Sequence, residues 1–347
     1  MKKINQKKNN IFKRLFIKVC RLFNFEIIDQ TNLDLPVSRL NFNDNLSKIG
    51  KNSLVLPMGK IKIKRPVKSL QIILRTCASV TMLTQSKNRI FNEPKYNYTL
   101  KTLNSLINSI NYNKDLFKHI RLKLTIIDHN SDNETTTKLK NILDKQLFEC
   151  EFKKLEFDQY KQLIKPINHQ GNKVTQNQMS NMSNIHQSLD LAKNCEDLIY
   201  FVEDDYIHKP EAIEEMIFTY ERISSVTNKE LILCPADYPY LYKKIDNSNI
   251  YLGNKYHWRT ITETLCTFLT SRHIINKHWE KFTKACIEEH YPFEKPFHEI
   301  YESEVCLSPL PSLAVHFTNI NSTYGVSPFV DYEKLWKESE INEYRKY

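Results

Sequence analysis

A chain of 347 residues, 41% of them hydrophobic, is long enough to bury one large core or two modest ones. Only five glycines occur, none in a GxGxxG or GxxxxGK(S/T) arrangement, which argues against a glycine-rich nucleotide cradle; the eight cysteines form no CxxC pair, which argues against zinc and redox motifs. The net charge of +10 is unevenly spread: residues 1–70 hold 16 Lys and Arg against four acids, so residues 71–347 together carry −2. With no signal peptide and no paired cysteine spacing, the expectation is a cytoplasmic chain with reduced thiols.

In chain order, Ile11, Phe12, Leu15, Phe16, Val19, Leu22 and Phe23 recur at helical spacing, with Lys13, Arg14, Lys18 and Arg21 between them. The spacing predicts a basic amphipathic helix. Its cations interrupt the apolar run too often for a membrane span, but such a helix can lie on an anionic membrane surface or pack on its own domain. Nucleic acid is not expected as a partner, because the positive charge is not spread along a face with interleaved aromatics. Residues 59–68 read as a linker or edge strand, and residues 1–69 as a basic N-terminal segment.

From residue 70 the pattern changes. Strands are predicted over 70–76, 122–127, 152–157 and 198–202, and helices over 98–110, 134–147, 182–192 and 211–223. Asp132 or Asn133 is the expected cap of the second of these helices. Alternating strands and helices imply a doubly wound, mostly parallel α/β sheet, with residues 70–206 as its first half and 207–347 as the second. Ligands bind such sheets at the carboxyl ends of the strands. Those ends carry Arg75 and Thr76, Asp128, and the run Glu203-Asp204-Asp205. Three adjacent acids repel one another unless something cationic sits there. Hard oxygen ligands suit Mg²⁺ or Mn²⁺; a strand end leading into an acidic helix start is the plain alternative.

The order of these pieces resembles the GT-A fold of nucleotide-sugar-dependent glycosyltransferases, both the bacterial family-two type and the Golgi N-acetylglucosaminyltransferase type with its Glu-Asp-Asp motif. Residues 72–77 (Ile-Ile-Leu-Arg-Thr-Cys) resemble the family's first strand and loop. Residues 126–132 (Ile-Ile-Asp-His-Asn-Ser-Asp) are similar to its Val-Asp-Asp-Gly-Ser-Thr-Asp element, and 201–205 correspond to its metal motif. Asn130 stands near the family's glycine, and Asn tolerates positive φ better than other non-glycine residues.

The resemblance implies an inverting transferase that moves a sugar from a nucleotide-sugar donor, UDP-linked by analogy, to a glycan or lipid-linked acceptor. Asp205 would be the direct ligand of Mn²⁺ or Mg²⁺, joined by His316. Arg75, Thr76, Asp128, Asn184, Glu203, Asp204 and Asp237 would face the donor, and Trp258 and Arg259 the acceptor. Glu299 would be the base, with Glu302 and Glu304 of the same acidic patch as alternatives. Two rival readings stay open: a sugar nucleotidyltransferase, and a non-catalytic sugar- or membrane-binding protein. Location on the inner membrane face follows only if the N-terminal helix binds lipid.

Overall fold

The computed structural model describes residues 11–25, 47–55, 59–79, 89–243, 245, 247–318 and 324–340. The chain divides into two units, Met1–Asp44 with Leu56–Lys60, and Asn45–Val55 with Ile61–Tyr347. The described part of the first contains helix α1 (Ile11–Leu22), formed where the spacing predicts it. Among the described residues no helix is long and apolar enough to cross a membrane.

Short strands β1 (Asn52–Val55) and β2 (Gly59–Lys62) precede the main sheet. There follow β3 (Ser69–Thr76), α2 (Lys95–Tyr112), β4 (Arg121–Asp128), α3 (Asn133–Leu143), β5 (Glu149–Lys154), α4 (Phe157–Lys161), α5 (Gln176–Lys193) and β6 (Leu198–Glu203). The second half contains β7 (Tyr206–His208), α6 (Ala212–Thr227), β8 (Leu231–Leu233), β9 (Ile250–Leu252), β10 (His257–Thr260), β11 (Phe268–Ser271), α7 (Arg272–Lys277), α8 (Trp279–Ile287), α9 (Lys295–Ser303), β12 (Val305–Leu310), β13 (Ala314–His316) and α10 (Tyr332–Glu338).

Nine strands form one sheet in the order β5-β4-β3-β6-β11-β8-β12-β10-β9. Pairing is parallel from β5 through β6 and again between β8 and β12, and antiparallel at β11 and β10, so all strands but β11 and β10 point the same way. Side chains alternate across it. Leu70, Ile72, Leu74, Leu124, Ile126, Tyr200 and Val202 enter the core that holds Leu103, Leu106, Ile107, Leu139, Ile213 and Ile217 of α2, α3 and α6. Ile73, Ile127, Ile199, Phe201 and Ile232 enter the opposite core with Ile185 and Leu189 of α5, Ile274, Phe282 and Ile300. This is the doubly wound α/β arrangement the alternation predicts.

Boundaries differ from expectation in two informative places. Helix α5 begins at Gln176, with the Thr175 hydroxyl accepting from the Gln178 amide at 3.2 Å, not near Met182. Its buried face includes Gln178, Ser180, Ser183, Asn184, Gln187 and Ser188, so apolar periodicity conceals its first turns. Strand β5 ends at Lys154, and Phe157 instead opens α4.

Between α2 and the sheet lies a fully buried histidine, His208, whose ring meets the Tyr200 hydroxyl through Nε2 and faces Ser105 Oγ at 3.5 Å through Nδ1. Burial lowers its pKa to about 3. The unfolded chain takes up that proton below about pH 6.5 while the folded chain does not, so this contribution to stability is complete above pH 6.5 and is lost as pH falls towards 3. Urea denaturation between pH 7 and 4 should show His208→Gln less stable than wild type at pH 7 but losing stability less steeply on acidification, the difference approaching about 1.4 kcal/mol per pH unit.

Candidate active site

Register builds one row at the carboxyl edge of the sheet. Arg75 lies opposite Glu203 on one side and Ile127 on the other, and Thr76 lies opposite Asp128. The Arg75 guanidinium reaches Glu203 Oε1 at 3.0 Å and donates to Asn181 Oδ1 of α5 at 3.0 Å. Asp128 accepts from Thr76 Oγ1 (2.7 Å), Ser131 Oγ (2.5 Å) and, at 3.3 Å, the Ser131 amide. It therefore ties the turn after β4, in which Asn130 adopts φ +59°, and the cap of α3 is Asp132, whose Oδ1 accepts from the Thr135 amide at 2.8 Å. Asn184 donates to the Ile127 carbonyl at 3.0 Å, so it braces the strand behind Asp128, while its Oδ1 is buried without a partner among the described residues.

The acids after β6 are paired with cations from distant parts of the chain. Asp204 accepts from Lys95 Nζ (2.6 Å), Thr99 Oγ1 (3.0 Å) and the Cys77 amide (3.1 Å). Asp205 Oδ2 accepts from Arg89 Nη1 at 3.0 Å and lies 3.5 Å from Lys95 Nζ. Its other oxygen faces His316 Nε2 at 3.5 Å. Burial would raise the Asp205 pKa, but Lys95, His316 and Arg89 hold it well below the usual carboxylate range. Burial likewise opposes the charged His316 ring, and the Asp205 carboxylate outweighs it, so that pKa is raised.

His316 is placed by a small ribbon in which β13 pairs antiparallel with β7, setting His316 beside Tyr206 with their rings stacked at 4.6 Å. Its Nδ1 lies 2.8 Å from the Tyr324 carbonyl. A carbonyl can only accept, so Nδ1 carries hydrogen, and in the neutral ring Nε2 keeps its lone pair towards Asp205. Among the described residues no three metal-ligating side chains converge. Mg²⁺ or Mn²⁺ at a phosphate site needs only one or two protein ligands, however, and Asp205 Oδ1 with His316 Nε2, its second nitrogen anchored on a carbonyl, fits that requirement.

The remaining expected residues fall elsewhere. Trp258 is fully buried and donates from its indole N–H to Glu215 Oε1 at 3.2 Å, so it belongs to the core and offers no face to a sugar. Arg259 is paired with buried Asp237, which also accepts from the Tyr242 hydroxyl, and its guanidinium lies 4.5 Å from the centre of the Tyr242 ring. Glu299 lies exposed on α9, 3.9 Å from Lys281, and Glu304 is tied to Lys277 and His278.

A different carboxylate, Glu294, lies just before α9. Burial pushes it up to about 7, with the Glu203 charge adding to the rise and His316 opposing it. Sequence reasoning missed Glu294, Lys95 and Arg89. The available signals were Pro94 before Lys95 and Pro296 in the first turn of α9, each marking a helix start.

No family model and no curated protein matches the chain. Its backbone path is similar to that of the glycosyltransferase GlyE of Streptococcus pneumoniae TIGR4, with 11% identity over 79% of this chain and 61% of that one and a TM-score of 0.38. It is also similar to S. aureus TarS 1-349 in complex with UDP (12% identity, 63% and 54% covered, TM-score 0.35) and to a UDP-glucose pyrophosphorylase complexed with UDP-glucose (6%, 79% and 97%, 0.39). The chain spans about half the length of TarS 1-349, 48% in its unliganded form. At these identities and scores the chemistry must be read from this chain's own residues.

Behind the charged groups sits a separate apolar cluster of Tyr98, Ile207, Val315, Phe317, Leu335 and Trp336, against which Phe91 packs. The Trp336 ring lies 4.4 Å from Phe91, 4.6 Å from Tyr98 and 5.3 Å from Phe317, so α10 holds together the segments that carry Arg89, Lys95 and His316. Trp336→Ala should cost about 3–5 kcal/mol in urea denaturation. Hydrogen exchange should show the Ile90 amide, bonded to the Thr318 carbonyl at 2.9 Å, losing protection, while Trp336→Phe retains most of it.

Proposed function

We propose that this protein is an inverting glycosyltransferase that takes a sugar from a nucleotide-sugar donor, UDP-linked, and delivers it to a glycan or lipid-linked acceptor. The observation that carries this reading is the row of Arg75, Thr76, Asp128 and Glu203 at the carboxyl edge of the parallel strands, continued by Asp205 and His316 at 3.5 Å. Asp128 and the Thr76 and Ser131 hydroxyls it gathers face the base and ribose. Glu203, oriented by Arg75, faces the sugar. Asp205 and His316 would hold Mg²⁺ or Mn²⁺, which when bound supplies Lewis-acid stabilisation of the departing diphosphate.

Glu294 takes the proton of the acceptor hydroxyl as its oxygen bonds to the sugar C1 and the bond from C1 to the β-phosphate oxygen breaks, with inversion at C1. The role expected of Glu299 moves to Glu294 because a base must approach the reacting oxygen, and Glu299 faces solvent beside Lys281. Glu294→Gln should lower kcat by roughly 10²- to 10⁴-fold with little change in donor affinity. Glu299→Gln should leave kcat near wild type. Since the working base is the ionised carboxylate, kcat/KM of the wild type should rise with pH through about 7 and then level. A loss at Glu299 with none at Glu294 would return the role to α9.

The acceptor reading rests on α1. Its Ile11, Phe12, Leu15, Phe16 and Leu22 are exposed along a helix in residues 1–44, which hold nine Lys and Arg against four acids. Such a helix brings the enzyme to an anionic, lipid-borne acceptor. Because Asn45–Val55 belongs to the larger unit, a truncation starting at residue 45 is the suitable comparison. Co-sedimentation with phosphatidylglycerol vesicles should be strong for the full chain at low salt, weaker at high salt and absent for the truncated form. Equal sedimentation of both forms removes the membrane from the proposal.

A further inference from the structure

Asp204 and Asp205 are each about nine-tenths buried, and so is Lys95. Unpaired charges at that depth are costly, and an unneutralised Glu-Asp-Asp run would depend on a bound cation to hold its shape. Here each aspartate has a cation supplied by the chain: Lys95 Nζ lies 2.6 Å from Asp204 and 3.5 Å from Asp205, and Arg89 Nη1 lies 3.0 Å from Asp205. Glu203 has Arg75. Asp204 is also filled by Thr99 and the Cys77 amide, so it anchors the loop after β3 and the start of α2. Lys95 is the first residue of an 18-residue helix whose opening turn has no acidic residue and no side-chain cap, which leaves the positive end of α2 beside the same carboxylates.

We infer that Lys95 and Arg89 are built-in counter-ions that take the place of a divalent cation in holding Asp204 and Asp205, so that the site assembles and binds a nucleoside diphosphate without a metal. This rests on the nucleotide-sugar reading above. Arg89 and Lys95 both address Asp205 Oδ2, whereas His316 faces Oδ1, so neutralising the carboxylate and ligating an ion use different oxygens. An incoming diphosphate therefore meets three acid–base pairs instead of three bare carboxylates. A divalent ion is then needed only for leaving-group departure.

The test uses the full chain, with UDP as probe, by calorimetric titration in EDTA and in Mn²⁺, alongside thermal melts in both buffers. Wild-type affinity should differ by less than about tenfold between buffers, and the chain should give a cooperative melt in EDTA, displaced in Mn²⁺ only by the mass-action effect of an ion at Asp205 and His316. Lys95→Met should weaken UDP binding by roughly tenfold or more in EDTA and regain it in Mn²⁺, because the ion then replaces the missing charge. Arg89→Gln, a milder change, should behave in the same direction and serves if Lys95→Met fails to fold. Wild-type binding that collapses in EDTA, or a wild-type chain that loses its cooperative melt in EDTA and regains it in Mn²⁺, overturns the inference while leaving the donor reading intact. UDP binding in neither buffer instead overturns the donor reading, and the melts then decide the counter-ion assignment.

Discussion

The arrangement of this site depends on one buried ion pair, Lys95 with Asp204. The two groups come from opposite ends of the first sheet half, a helix start and a strand end, and meet at 2.6 Å with little solvent to screen them. In such surroundings removing one partner strands the other, which typically costs about 3–5 kcal/mol, so the pair, once formed, holds the start of α2 at the end of β6. Thr99 one turn along α2 and the Cys77 amide share the same carboxylate. The loop after β3, the helix after it and the end of β6 are thereby tied at one point.

A second tie comes from far along the chain. The β13–β7 ribbon returns the C-terminal part to the edge of the first half, and the Phe317 amide donates to the Asp205 carbonyl at 2.8 Å. Arg89 donates both to Asp205 and to the Phe317 carbonyl, so it joins the ribbon to the acid it neutralises. The aromatic cluster around Trp336 lies directly behind, with the Arg89 guanidinium 4.8 Å from the centre of the Tyr98 ring. Charged groups face the site and apolar groups face α10. Each position of the charged layer is therefore supported by packing that excludes water.

Around Asp237, beyond β8, the geometry is of another kind. Asp237, Arg259 and Tyr242 neutralise and orient one another, and Tyr238 links them to the site through its hydroxyl contact with Tyr206. Burial raises the Asp237 pKa even beside Arg259, a sign of a carboxylate held for its partners more than for solvent. Among the described residues Arg259 Nε is buried with no hydrogen-bond partner.

What was legible in the sequence was what local patterns encode. Alternation between apolar strands and helices gave the doubly wound sheet, and the residues that end β3, β4 and β6 marked its carboxyl edge, because parallel strands bring their ends to one side whatever the details of packing. The positive φ of Asn130 and the Asp132 cap are local properties too. Helix α5 was only half visible, since its buried face is polar and apolar spacing carries no signal there. Tertiary structure alone decided the rest. Trp258 reads as a ligand contact or a core residue with equal ease until Glu215 claims its indole, and Glu299 reads as a base until α9 turns it outward. Lys95 and Arg89 carry no motif; their pairing arises from contacts across 109 to 228 residues of chain, where the nearest opposite charge, not the neighbouring residues, sets what a side chain does.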